Sequence, residues 1–177
     1  MTDQPDTAAL LGRPGQAYEA ARLRPASLAD AERIAELWRR AYPDEAASAA
    51  SVGTWLERGG ALLLQDRAGD LLAALPWREA DGGWQVERVA TDPSERGQGY
   101  GRWLMTKVEA LAIKANVPYL WLRLPGGADD DDQLPYYARM GYVVQDDAVA
   151  EGLTLRKKVG GVWQTKAVAT LDGGRAS

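Results

Sequence analysis

Val89-Ala90-Thr91-Asp92-Pro93-Ser94-Glu95-Arg96-Gly97-Gln98-Gly99-Tyr100-Gly101 runs from an apolar segment, through a bend rich in Gly and Pro, into an amphipathic stretch. Glycines let the backbone turn tightly and let a ligand come close to its N–H groups. The helix they open, predicted over about 99–115, begins with N–H donors that have no intrahelical acceptor and with roughly +0.5 charge. Such a start suits phosphate or pyrophosphate. Without a ligand, the same residues would be a tight strand-to-helix turn. The glycine spacing is not the Gly-x-Gly-x-x-Gly of a dinucleotide-binding turn, and no Gly-Lys-Ser/Thr follows as a Walker loop requires.

Working outward, Trp84 to Thr91 reads as one strand with period-two faces. Glu87, Val89 and Thr91 fall on one face, and Trp84, Val86, Arg88 and Ala90 on the other. Two earlier runs, 61–65 and 71–77, flank Asp66-Arg67-Ala68-Gly69 as a hairpin, and Gly82-Gly83 makes a second turn. Ala31, Ile34, Ala35, Trp38, Ala41 and Tyr42 recur at helical spacing. A helix is therefore predicted over 28–42, with Ser27 and Asp30 as a capping box and Pro43 as its stop. A weaker helix over 46–58 ends at Gly59-Gly60, and Leu23-Arg24-Pro25 closes a short first strand. Beyond the glycine bend, Leu104, Val108, Leu111, Ala112 and Ala115 form one apolar stripe. Asn116 suits a left-handed cap there. A strand over 119–124, an acidic loop over 125–133, a short helix over 135–140 ending at Gly141, and strands near 142–145 and 153–159 complete the pattern. The alternation implies a mixed sheet with helices on its faces.

The 177 residues suit one domain with short tails. Residues 1–17 read as a flexible arm, 18–159 as the domain and 160–177 as an extension carrying one more strand, Val162–Thr170. The net charge of −4 argues against a general nucleic-acid binder. No apolar run approaches the ~20 residues of a membrane span. The first residues lack a signal pattern, so a cytoplasmic location is expected. The chain has no Cys and no His. That excludes a thiol nucleophile, a Ser-His-Asp triad and a zinc site built on imidazole or thiolate; no metal is expected. Acid–base chemistry is left to Asp, Glu, Lys, Tyr, backbone or water.

The quoted stretch resembles the acetyl-CoA signature of the GNAT acetyltransferase superfamily. That signature is an apolar strand, a Pro, then Gln/Arg-x-x-Gly-x-Gly/Ala opening a helix; Arg96, Gly99 and Gly101 stand at its defined positions. Tyr136-Tyr137-Ala138-Arg139-Met140-Gly141-Tyr142 resembles the family's Phe-Tyr-x-x-x-Gly-Phe segment, and Arg24 to Ala31 resembles its usual opening. The resemblance spans 22–158. It implies an α/β fold, a mixed, mostly antiparallel sheet flanked by helices on both faces. It also implies acetyl-CoA as cosubstrate. Arg96, Gly97, Gln98, Gly99, Tyr100, Gly101 and Arg102 would form the loop whose N–H groups hold the CoA pyrophosphate. Val89, Ala90 and Thr91 would offer backbone groups to the pantetheine and the acetyl carbonyl. Tyr137 matches the tyrosine that protonates the departing thiolate, and Glu87 matches a position that serves as general base. The loop before Tyr137 departs from the family pattern, with Asp130 where Asn is usual, Gln133 where Ala is usual, and Pro135 just before the tyrosine pair.

The implied activity is acetyl transfer to a primary amine by direct attack. The acceptor would be a small-molecule amine, a peptide N-terminus or a lysine. The rivals are a CoA-binding sensor or interaction module that has lost turnover, and a nucleotide-phosphate binder using the same turn. Acceptor residues are expected in 43–60 and 125–135. Asp129 to Asp132 is either a solvated loop or a rim that attracts cationic amines. The tail could add a strand to a second copy, giving a homodimer.

Overall fold

The computed structural model describes residues 21–125, 133–145 and 152–160. The expectations for the N-terminal arm, for Asp129 to Asp132 and for a strand over 162–170 lie outside these residues. The chain divides into two compact units. One contains residues up to Arg78 together with Val86–Val108; the other contains Glu79–Gln85 together with residues from Glu109 onward.

The first unit begins with strand β1, Arg22–Pro25, and a single 3-10 turn, Leu28–Asp30. Helices α1, Ala31–Ala41, and α2, Ala49–Arg58, follow. Where a capping box is expected, the Asp30 carboxylate accepts from the Ser27 N–H at 2.9 Å and from both Arg24 terminal nitrogens at 2.8 and 2.6 Å. These bonds hold its pKa down at about 2. Strand β2, Gly59–Gln65, pairs antiparallel with β1 and with β3, Leu71–Ala80. Ala61 and Leu63 pack with Ile34, Trp38 and Val52 of the two helices. Leu62 and Leu64 point to the opposite face and are also buried. A strand sealed on both faces is what a sheet with helices on both sides requires.

The expected continuous strand 84–91 is broken in two: β4, Gly83–Val86, and β5, Ala90–Thr91. The Glu87 N–H donates to the Pro76 carbonyl at 2.9 Å, but Pro76 has no N–H to return the bond. The ladder resumes with Ala90 opposite Ala74 and Thr91 opposite Ala73, one residue out of step. The surplus residue makes a β-bulge. It also corrects the expected facing. Residues opposite each other share a face, so Glu87 lies on the side of Pro76, Ala74 and Ala90, not with Thr91.

Helix α3, Tyr100–Lys114, follows the glycine bend. Its buried stripe is Leu104, Met105, Val108 and Ala112; Leu111, expected in the stripe, is 37% exposed, and Ala115 is exposed. Asn116 takes φ 57°, as expected of a left-handed cap. The Val117 N–H reaches the Ala112 carbonyl and the Asn116 N–H the Ile113 carbonyl, a Schellman ending.

In the second unit β4 pairs parallel with β6, Tyr119–Leu124. Strand β6 pairs antiparallel with β8, Leu153–Lys158, and β8 with the short β7, Val143–Val144. The expected turn falls one residue earlier than Gly82-Gly83: Asp81 and Gly82 both have positive φ, the signature of a two-residue hairpin turn. The short helix α4 runs over Gln133–Arg139. The architecture is thus a mixed, mostly antiparallel sheet with helices. Among the described residues no helix is long and apolar enough to cross a membrane.

Candidate active site

The bulge sets up the first half of the site. It leaves the Val89 carbonyl outside the ladder, and the Tyr42 hydroxyl donates to it at 2.7 Å. Arg88 is buried; its guanidinium lies 4.2 Å from the centre of the Tyr42 ring and pairs with Glu45. The other Glu45 oxygen accepts from the Trp38 indole N–H at 3.2 Å. The segment that follows α1 is thereby tied to the bulge by two contacts, Tyr42 to Val89 and Glu45 to Arg88, that span more than forty positions.

Beside this latch lies a cleft of about 210 Å³, lined by Trp38, Val52 and Trp55 from the helices, Glu45 from the segment between them, and Pro76 and Glu87 from the sheet. Arg78 stacks over the Trp55 ring at 4.3 Å. Among the described residues the Glu87 carboxylate accepts no hydrogen bond and makes no ion pair. Burial in this apolar setting raises its pKa to about 7, against a smaller downward pull from the Arg78 charge. A carboxylate at that value can take and give a proton at neutral pH.

The glycine bend stands in the same unit. Gly97 and Gly99 have φ of +83° and +80°, which L side chains rarely adopt, and a Cβ on Gly97 would meet nothing within 4 Å. The turn therefore presents bare backbone to an approaching group. The Trp103 N–H donates to the Gly99 carbonyl at 3.1 Å, so the first helical turn carries the N–H groups of Tyr100, Gly101 and Arg102. Two side chains from this loop serve other ends. Arg96 donates to the Ala41 carbonyl at 2.9 Å, a cation at the C-terminus of α1. Tyr100 is 1% exposed and packs in the interior, leaving only its backbone for a ligand. Ahead of the bend, Asp92 caps the turn Pro93–Glu95 by accepting from Ser94 and pairs with Arg40 at 3.3 Å.

Tyr137 belongs to the second unit, on α4, and is 3% exposed. Gly141 has φ +91°; the Tyr142 N–H donates to the Tyr137 carbonyl at 3.2 Å and the Gly141 N–H to the Ala138 carbonyl at 3.0 Å. This is a second Schellman ending, in which the residue after the glycine packs on the residue five before it. The Tyr137 and Tyr142 rings meet edge to face at 6.0 Å, and Tyr136 meets Tyr137 likewise at 5.0 Å. The spacing Tyr-x-x-x-Gly-Tyr is thus a helix-end code that fixes one tyrosine by the next. Tyr142 is backed by Glu109, which accepts from Lys157 at 2.8 Å.

Residues 31–142 match the Acetyltransferase (GNAT) family. The chain belongs to that family. GNAT structures share its fold at low identity. The ribosomal-protein-S18-alanine N-acetyltransferase of Escherichia coli is 16% identical with a TM-score of 0.69, over 80% of this chain and 96% of that one. The paia N-acetyltransferase of Thermoplasma acidophilum, solved with coenzyme A, is 15% identical with a TM-score of 0.60, over 78% and 98%. The yncA structure from Salmonella typhimurium, which holds acetyl-CoA, is 17% identical with a TM-score of 0.61, over 79% and 94%. No curated protein matches the chain.

Among the expected GNAT site residues, Glu87, Val89, Ala90, Thr91 and the loop Arg96 to Arg102 fall together in the first unit, and Tyr137 stands in the second. Glu45 and Trp55 fall within 43–60, where acceptor residues are expected; Trp38, Tyr42 and Arg88 form parts of the site that the sequence did not single out for it. One signal pointed to them. Pro76 interrupts a strand-like run, and within a sheet a proline marks an edge or a bulge.

Proposed function

We propose that the chain is an acetyl-CoA-dependent N-acetyltransferase that acetylates a primary amine by direct attack. The observation that carries this reading is the desolvated Glu87 carboxylate, near neutral pKa, on the wall of a cleft beside the bulge. The exposed glycine turn fits the pyrophosphate of the donor: positive φ at Gly97 and Gly99, open space at Gly97, and helix N–H groups behind. When bound, acetyl-CoA supplies an acetyl group activated as a thioester. Glu87 accepts the proton of the incoming ammonium and leaves a neutral amine. The amine nitrogen forms the new C–N bond as the C–S bond breaks; the Tyr137 phenol supplies the proton that the departing sulfur takes, and the second proton that the nitrogen sheds passes to solvent, from which the phenolate regains its own. A phenol (reference pKa ≈ 10) and a thiol (≈ 8.5) are close enough for useful transfer. No covalent enzyme intermediate is needed, which suits a chain without Cys or His.

The test is thiol release from acetyl-CoA against a panel of primary amines. Amine-dependent release, with the acetylated amine found by mass spectrometry, is the expected result. Acetyl-CoA binding without release for any amine would favour a CoA-binding module that does not turn over.

A further inference from the structure

The cleft beside Glu87 has a chemistry of its own. Its walls are two indoles, Trp38 and Trp55, with Val52 and Pro76. Its polar groups are almost all committed. Glu45 holds Arg88 and the Trp38 N–H, and the Ser51 hydroxyl donates to the Ser48 carbonyl at 2.9 Å. Glu87 alone presents a carboxylate that no described residue satisfies. A half-buried, desolvated carboxylate without a hydrogen-bond partner is costly, and an ammonium group is its natural complement. Among the described residues the other side chains of the wall are apolar or already bonded, apart from the Trp55 indole N–H. The wall offers the parts of the two indoles that Arg78, stacked on Trp55, and Tyr42, packed on Trp38, leave open, and such aromatic surface binds apolar bodies by area and stacking. A volume of about 210 Å³ is below the ~300–1,000 Å³ of sites for drug-sized ligands.

From this we infer that the acceptor is a small monoamine with a flat apolar body and no carboxylate, an arylalkylamine, its ammonium against Glu87 and its ring between Trp38 and Trp55. This rests on the acetyltransferase reading only for turnover; the binding itself stands apart from it. A polyamine would place further charge against apolar walls. An amino acid would bring its carboxylate toward Glu87 and Glu45. A lysine side chain on a peptide would reach the cleft with an aliphatic stem and leave the aromatic faces without a ring to stack.

The experiment uses the full chain and two readouts. Thiol release is measured with phenethylamine, phenylalanine, spermidine and a lysine-containing peptide, and phenethylamine binding is titrated by calorimetry. Phenethylamine is expected to have the highest kcat/KM, by about tenfold or more, the scale on which apolar pockets discriminate. Ala46→Trp, which fills the cleft from an exposed position, and Trp55→Ala, which removes a wall, should each weaken phenethylamine about tenfold while acetyl-CoA affinity stays unchanged. Phenethylamine binding that Ala46→Trp abolishes, with no amine acetylated, would keep the cleft assignment and overturn the acetyltransferase reading. Preferred turnover of spermidine, the peptide or phenylalanine would overturn the arylalkylamine assignment. So would absent phenethylamine binding, or binding that neither variant changes.

Discussion

Tyr137 and Glu87 are held in opposite ways. Tyr137 is fixed by its own neighbourhood: Gly141 turns the chain, the Tyr142 N–H returns to the Tyr137 carbonyl, and the two rings meet. These contacts all lie within five residues. Glu87 is fixed by residues from four separate segments: Trp38 on α1, Glu45 in the connection that follows, Val52 and Trp55 on α2, and Pro76 on β3. A short local code suits an element that has only to present one phenol. A base that must be desolvated needs walls, and walls come from distant parts of the chain.

Four substitutions would break or sharpen this contrast. The largest effect is expected from Tyr137→Phe. If the phenol protonates the leaving sulfur, kcat should fall by roughly 10²–10⁴ with little change in acetyl-CoA affinity. Steady-state rates decide it, and near-normal turnover would reduce the helix-end code to packing. Next, Glu87→Gln should lower kcat/KM by about 10² near neutral pH. In the unaltered chain activity should rise with pH through about 7, because the raised carboxyl must lose its proton to act as base. The variant should lose that inflection and recover partly at alkaline pH, where more of the amine is already neutral. A loss uniform in pH would make Glu87 structural.

The third substitution attacks the walls. Glu45→Gln removes the charge partner of buried Arg88 and should cost about 2 kcal/mol in denaturant unfolding. That is less than for a fully buried pair, because the Glu45 side chain is 35% exposed. It should also raise the amine KM more than it lowers kcat. The smallest effect is expected from Gly141→Ala. The added methyl would meet Lys157 Cε at 3.4 Å, an ordinary contact, so the cost comes from φ +91° alone and should be about 1 kcal/mol. A larger loss for Gly141→Ala than for Glu45→Gln would invert the contrast and make the helix end the more demanding half.

The same contrast explains which parts could be read from the sequence. Asn116 and Gly141 were legible because left-handed caps depend on one residue and the turn before it. The hairpin at Asp66 to Gly69 and both helices before β2 follow equally local rules. The break at Glu87 to Val89 was not legible from alternation alone, because its cause lies on another strand, in the missing N–H of Pro76. One surplus residue then moved Glu87 to the face opposite the one its parity predicts. Arg88 looked like a strand residue among apolar neighbours, but its partners Tyr42 and Glu45 lie more than forty positions away. Tyr42 and Trp38 were legible as helix core and hid a second use, since each carries a polar atom that ends on the site.

The desolvated carboxyl of Glu87 also makes the chain an unusual proton donor when it melts. With no histidine in the sequence, the only other group whose ordinary pKa falls near 7 is the terminal amine. Folded, Glu87 holds its proton up to about pH 7; unfolded, it returns to its ordinary value of 4.5 and ionises. Between those values the native state binds more protons, so stability falls as pH rises through the window. Unfolding near pH 6 therefore hands about one proton to the buffer. Melting enthalpies measured in phosphate and in an amine buffer should differ by close to one buffer ionisation enthalpy, a calorimetric count of a single glutamate.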